Sequence, residues 1–545
     1  MHGVSGHRTG NEIMKTVTGL IFLLLLAVSG SAQAGVINAA SVSRSDVAAA
    51  IHSAVNGDTV VIPAGASTWT TGISVSGKAI KIQGTGSGRI IGRTLTPNSV
   101  GTGSKTFTTQ SGLSITGGQT LRIVRRTIQT DGSSDVSGTF MMGTVTSYSG
   151  TTLVMNITST GGSGRYAAWY IATEPLTTIN YTTTSGAAFS ITPSNGNVEL
   201  SGIKFICPGP GGYGMLLYDA SPLETLIHDC WFKVKPNSPA IRTETNSVVI
   251  YQCSFDSPFS AVEAIMMKWE TWHITTGNLS WTTVDTLGNR DSNGNKNFYV
   301  EDCDFHYFLN SMNFDSNSRV VVRHCTFDNA GIGSHGADTS PYGTRHWEIY
   351  DNTFILEPTT NGVVLNVNYW FLDRGGTGVV TDNVMPRIIS QDWGHKGSVT
   401  MVVENIRRNG GPYACWTTYP APRSAGQGYN GTSCFTDPIR IWNNTGPVDS
   451  SDVAVGQYEP DECGNGELAA TFTQINRDYF FSTDSTAAIP GYVKFAYPHP
   501  ARGGSRPPPP PTASATPSSP QRIWKNKGKK VKKWKWGKAK ENSTN

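Results

Sequence analysis

Long apolar runs are almost absent from this 545-residue chain. The one near the start, Leu20–Val28, follows Lys15 and precedes the small-residue triplet Ala32-Gln33-Ala34, the pattern of a cleavable secretory leader. It predicts a signal peptide over residues 1–34, Gly35 as the mature N-terminus and a secreted or cell-surface, bacterial location. No later segment approaches the roughly eighteen uninterrupted apolar residues a membrane helix needs. The sequence therefore predicts no transmembrane segment once the leader is removed. Charge is sparse too, at 15% of residues. With 60 glycines and abundant Thr, Ser, Asn and Val, that scarcity excludes a body of long helices and favours short strands and turns.

The net charge of +4 is misleading. Residues 522–540 hold ten Lys or Arg and residues 522–545 one acid, Glu541, which leaves 33 basic and 38 acidic side chains over residues 1–521. A mildly acidic body thus precedes a basic tail. Between them, residues 503–521 include "RPPPPP", a composition that favours extended polyproline II structure. The tail, residues 522–545, combines its cations with Trp524, Trp534 and Trp536, a set suited to an anionic polymer or the cell surface. An exported protein has no nuclear nucleic-acid role.

About 510 mature residues exceed one ordinary domain, and internal repeats explain the length. The pattern apolar-x-apolar-x-x-[Cys/Asn]-x-apolar occurs in "TLIHDCWF", "VVIYQCSF", "FYVEDCDF", "VVVRHCTF", "WEIYDNTF" and "GVVTDNVM". It aligns Cys230, Cys253, Cys303, Cys325, Asn352 and Asn383, with intervals of 22 to 31 residues except for one of 50. That long interval suggests a degenerate repeat within residues 262–290. Turns of this length stack at about 4.8 Å. In this frame Val248, Ile250 and Phe255 point inward, with Phe298, Val300 and Phe305 in the next repeat. Tyr251, Glu301, Arg323 and Tyr350 point outward.

The aligned cysteines admit a reduced buried stack, a disulfide between neighbouring turns or a metal site. Since no His or carboxylate shares the inward face, the reduced stack is favoured. Cys415 and Cys434 flank a loop and are better disulfide candidates. Near the start, "SRSDVAAAIHSAV" predicts a short helix with Ser45 as N-cap, before "GDTVVIPAG" and "GISVSGKAIKIQGTG".

These stretches resemble the secreted right-handed parallel β-helix proteins of the pectate lyase-like superfamily. The resemblance covers residues 36–502, less an insertion. It implies an all-β solenoid with an N-terminal capping helix, first turns over 35–94 and a main body over 173–502. The inserted stretch, residues 95–172, contains "GTGSKTFTTQSGLSITGGQTLRIV" and "MMGTVTSYSGTTLVMNITSTGGSGRYAAWYI". It resembles small β modules of bacteriophage tails and fibres.

The superfamily implies chemistry on polysaccharides. A uronate lyase must neutralise a carboxylate, often with Ca²⁺, and remove the C5 proton. The candidates are Arg345 as preferred base, with His335, Lys268, Arg323 and Glu348 as further catalytic groups. Glu301, Asp304 and Asp328 are possible Ca²⁺ ligands. Trp269, Trp272, Trp281 and Arg374 are possible sugar contacts, against the plain alternative of packing tryptophans. Glu301 and Arg323 lie in neighbouring repeats and read first as an exposed surface ion pair worth under about 1 kcal/mol, ahead of any catalytic role. A polygalacturonase is disfavoured, because "GSHG" at 333–336 only partly echoes its motifs. The expectation is a secreted polysaccharide lyase acting by β-elimination. The alternatives are a glycoside hydrolase on the same fold and a non-catalytic glycan-binding protein.

Overall fold

The computed structural model describes residues 34–503 apart from 126–138, 174–175, 193–196, 208–211, 219–224, 236–238, 245–247, 258–261, 269–296, 317, 336–342, 357–368, 391–396, 399–400, 405–417, 422–423, 430–432, 447–452 and 457–472. The chain forms a parallel β-helix with three faces. The first face is a 12-stranded sheet running from Val36–Asn38 to Tyr479–Phe481, every neighbouring pair parallel. The second and third faces are two limbs of a 16-stranded sheet. They become continuous where a strand turns the corner, as in Asp304–Phe314 and Thr326–Ser334. Among the described residues, no helix is long and apolar enough to cross a membrane.

Each coil bends sharply between the first and second faces, and the repeat pattern encodes the bend. The residue before the aligned Cys or Asn has a left-handed backbone: Asp229 (φ 53°), Gln252 (55°), Asp302 (52°), His324 (54°), Asp351 (58°), Asp382 (57°) and Asn443 (53°). Asp, Asn and His tolerate that conformation better than other residues with a Cβ. In the coil before Asp229 the same corner is held by Gly202 (φ 69°). The next residue turns inward. Cys230, Cys253, Cys303 and Cys325 are buried free thiols, and their Sγ atoms approach backbone carbonyls, as Cys303 does Glu301 at 3.3 Å. Asn352, Asn383 and Asn444 continue the column as an amide ladder. The Asn352 carbonyl accepts from Cys325 N (2.9 Å), and the Asn383 carbonyl accepts from Asn352 N and Nδ2 (both 3.0 Å). Cys415, expected to pair with Cys434, lies outside the described residues.

Two positions further on, a phenylalanine column fills the interior. Phe205, Phe232, Phe255, Phe305, Phe327 and Phe354 stack with centroids 4.7–5.1 Å apart. Coil spacing and offset ring stacking coincide at this distance, so one repeat satisfies both.

The structure corrects two sequence readings here. Val248–Tyr251 pairs directly with Phe298–Glu301, and Ser254–Asp256 with Asp304 onward. The 50-residue interval therefore hides no extra coil. Its surplus, residues 269–296, follows directly on the third-face strand Val262–Met267. The helix, Arg44–Ser53, is capped by Ser43 rather than Ser45, because the Ser43 hydroxyl accepts from Asp46 N. The helix buries Val47, Ala50 and Ile51 at the N-terminal end of the core.

The insertion forms its own antiparallel six-stranded sheet between the strand Lys81–Gln83 and the strand Thr177–Tyr181. Its first and last strands in chain order, Arg89–Thr94 and Trp169–Thr173, reach slightly beyond the expected bounds. One side packs its own core, including Phe107, Leu121, Ile123 and Trp169. The other presses Ile90, Val124, Tyr170 and Ala172 onto Trp231 and Tyr307 of the second face.

Finally, residues 485–502 run back along the outside of the first face. Ala487 packs on Val379 and Trp442, Phe495 on the cluster of Tyr299 and Tyr350, and the Arg502 guanidinium lies 4.4 Å over the Tyr251 ring. We term this segment the strap.

Candidate functional site

The outward charges of the first face are consumed by the strap. Arg323 Nε donates to Glu301 Oε1 (2.7 Å), Nη1 to the Tyr350 hydroxyl (3.1 Å) and the Phe495 carbonyl (2.7 Å), and Nη2 to the Ala496 carbonyl (2.7 Å). The other Glu301 oxygen accepts from Arg502 Nη1 (2.7 Å) and His499 N (3.2 Å). Both side chains are fully buried, at 0% exposure. The expected surface ion pair is thus corrected to a buried, fully bonded one, because the sequence register says which way a side chain points but not what later lies upon it. Glu348 is held likewise, accepting from Tyr492 OH at 2.7 Å with His346 3.3 Å away. Arg345 is buried and its N–H bonds the Ser318 carbonyl. Arg345, the preferred base, and Arg323, Glu348 and Glu301 are therefore sealed from a polymer.

The second face carries Asp304 and Asp328 beneath the insertion. Asp328 accepts from Asn329 Nδ2 (2.9 Å) and from Tyr170 OH (3.3 Å) of the inserted sheet, with His306 Nδ1 at 3.8 Å. Burial pushes the Asp304 carboxyl up to about 7, although His306 and Arg89 pull it back. The proposed Ca²⁺ set is therefore split between two faces, with Glu301 already bonded to two arginines. Among the described residues no group of three His, Cys, Asp or Glu is arranged to hold a metal ion, so these three residues do not fit Ca²⁺.

The third face is different. Its strands alternate inward and outward like the others, and their final outward position is Lys268, Asp315, His335 and Arg374 in four successive coils. The register supports this directly: Met267 pairs with Phe314, Phe314 with Ser334, and Ile332 and Gly333 with Phe371 and Leu372. Lys268 Nζ lies 2.8 Å from Asp315 Oδ2. Arg374 Nη2 lies 2.7 Å from His335 Nδ1. The same Nη2 lies 2.5 Å from His335 Nε2, so the guanidinium, which can only donate, sits against the imidazole ring.

Backbone contacts fix these groups. His335 N donates to the Phe314 carbonyl (2.7 Å), and Thr344 Oγ1 donates to the carbonyls of both Phe314 (2.7 Å) and His335 (2.8 Å). This pinches the base of the loop after His335. Arg374 Nε donates to the Ser334 carbonyl (2.9 Å), while Ser334 Oγ donates to buried Asp373 (2.9 Å). One position away, Gly333 leaves the floor of the row without a side chain, where a Cβ would sit 3.1 Å from Asn310. At the edge stands Glu263, bonded by Asn313 Nδ2. Burial raises its carboxyl above the ordinary range, against the opposing pull of Asn313 and of the His335 and Lys268 charges.

The structure thus brings together three sequence candidates, Lys268, His335 and Arg374, and separates the rest. Trp269, Trp272 and Trp281 lie outside the described residues. Asp315, Glu263 and Asn313 were missed. A signal for Asp315 existed: "IMMK", "MNFD", "IGSH" and "FLDR" end the third-face strands in one frame, once the repeat is extended beyond its Cys or Asn.

No family model matches the chain, and no curated protein matches it. Among solved structures it is similar to an alginate lyase from Paenibacillus sp. str. FPU-7, with 10% identity, a TM-score of 0.32 and coverage of 78% of this chain and 91% of that one. It is also similar to a PL6 family polysaccharide lyase from Pseudopedobacter saltans, with 13% identity, a TM-score of 0.34 and 77% coverage of both chains. A third is the tailspike of Pseudomonas phage phi297, at 13% identity and a TM-score of 0.20, covering 76% of this chain and 68% of that one. The likeness is one of fold, and no residue assignment is taken from it.

Proposed function

We propose that the third face binds an extracellular polysaccharide and cleaves it by β-elimination at a uronate. The observation that carries this reading is the row Lys268, Asp315, His335 and Arg374, one group per coil along an outward column. Such a row meets a linear polymer with one charged or hydrogen-bonding group at each coil, about 4.8 Å apart. The cations Lys268 and Arg374 attract a uronate carboxylate. On binding, Arg374 turns its donor from His335 to the uronate carboxylate, and the freed His335 ring nitrogen takes the C5 proton; the C4–O4 bond breaks as the C4–C5 double bond forms, and the Lys268 ammonium protonates the departing oxygen. Burial raises the Glu263 carboxyl, and in its protonated form it donates a hydrogen bond to the substrate carboxylate and so eases loss of the C5 proton.

A second reading has its own observation. A carboxyl raised by burial, Glu263, stands near a carboxylate paired with a cation, Asp315, and carboxyl groups with opposed environments suit the acid and base of a glycosidase. The basic tail, in either case, engages the same anionic polymer.

The test is to incubate the mature protein with uronate and neutral polysaccharides, with and without Ca²⁺. Ultraviolet absorbance from unsaturated uronate ends is the expected result. New reducing ends without that absorbance favour hydrolysis, and retention of polymer without any product leaves a binding protein and removes the enzyme.

A further inference from the structure

The charged row does not begin at Lys268. In the preceding coil, the third-face strand Ile241–Glu244 pairs Thr243 with Met267, and Lys268 N donates to the Thr243 carbonyl at 3.0 Å. This register sets Glu244 beside Lys268 and Arg242 beside Met266. Arg242 is held on two sides. Its Nη2 donates to Glu244 Oε1 (2.7 Å) and its Nη1 to the Tyr213 hydroxyl (3.1 Å), with the guanidinium carbon 5.8 Å from the Tyr213 ring. Its side chain remains 31% exposed. Isolated exposed ion pairs have little significance. This one is distinguished by its tyrosine brace and by its place one coil before Lys268, in register with Met266 beside the row.

We infer that Tyr213 and Arg242 form a distal subsite that takes an anionic sugar unit of the same polymer, one coil beyond Lys268 towards the N-terminus. This rests on the polysaccharide reading above. A guanidinium carries five donors, so the two fixed contacts orient Arg242 and leave N–H groups for a carboxylate or ring hydroxyl. The half-buried tyrosine ring offers a flat apolar surface to a sugar face. Because Arg242 lies one coil before Lys268, in register with Met266 and so two residues back along its strand from the row, the bound chain runs along the helix axis beside the row. Binding strength then grows with chain length until the distal subsite is filled.

The experiment is titration calorimetry of the full chain with uronate oligosaccharides from disaccharide to octasaccharide. In wild-type protein the affinity should rise with length. Arg242→Ala should weaken the longest oligomers about tenfold, the loss of one charge-assisted contact. Disaccharide binding should stay within about twofold. Tyr213→Phe, which keeps the ring and removes the brace, should give the same length dependence with a smaller loss, and unchanged thermal unfolding of both variants excludes misfolding as the cause. Equal weakening at every length, or none at any length, overturns the subsite while leaving the polysaccharide reading in place. Failure of the wild-type protein to bind any oligomer overturns both.

Discussion

The first and third faces of the helix both present outward charge at coil spacing, yet among the described residues they differ in what lies over them. On the first face Glu301, Arg323 and Glu348 are closed over by the strap and bonded to Arg502, Tyr492 and strap carbonyls. On the third face Lys268 keeps 28% of its side chain exposed, against 4% for its partner Asp315. Among the described residues, the same solenoid geometry thus yields a buried polar seam where the strap returns and a candidate binding surface with a partly exposed cation on the third face. Direction of a side chain and its accessibility are set by different parts of the sequence.

The largest expected effect breaks the first face. Arg323→Ala leaves Glu301 and two strap carbonyls buried with their main donor gone, and should cost about 3–5 kcal/mol of stability. Chemical denaturation measures the loss, and activity per folded molecule should not change. A stability loss under 1 kcal/mol would show that the strap contributes little. The converse variant is His335→Ala, for which catalytic rate should fall by at least about a hundredfold, with unfolding unaffected. Normal rates in that variant would remove His335 as the base.

A third comparison involves the second face, where the insertion covers Asp304 in place of the strap. Its folded carboxyl titrates at about 7 against an ordinary value of 3.8. The folded chain therefore binds this proton more tightly than the unfolded chain. This contribution is complete below pH 3.8 and is lost as pH rises through 7. Unfolding measured across that window should show stability falling by up to about 1 kcal/mol per pH unit from this group, discounted because Asp304 is partly exposed by surface area. Asp304→Asn should flatten the slope. An unchanged slope would assign the pH dependence to other groups.

Much of the fold was legible because one repeat carries three physical requirements at once: an Asp, Asn or His able to take a left-handed corner, a small Cys or Asn able to stack inward, and a Phe two positions later. The site was legible only in part. Lys268, His335 and Arg374 could be found because each ends an apolar strand beside a loop. Glu301 and Arg323 misled because the strap that buries them follows 172 to 201 residues later, as with Phe495 on Arg323 and Arg502 on Glu301, and nothing in their own repeats announces it. The 50-residue interval misled for a related reason: a long excursion and an extra coil have the same length in a linear count.

The smallest effect sharpens the third face. Glu263 sits at its edge with a carboxyl raised by burial, bonded by Asn313 and near Lys268 and His335. If its proton is what eases the reaction, rate should decline as pH rises through that raised value, because the ionised form places a negative charge against a substrate carboxylate. Glu263→Gln keeps an oxygen to accept from Asn313 and cannot ionise. Its rate at low pH should stay within a few-fold of wild type, and its alkaline decline should shift or disappear. A profile superimposable on that of the wild type would remove Glu263 as the group whose ionisation slows the reaction.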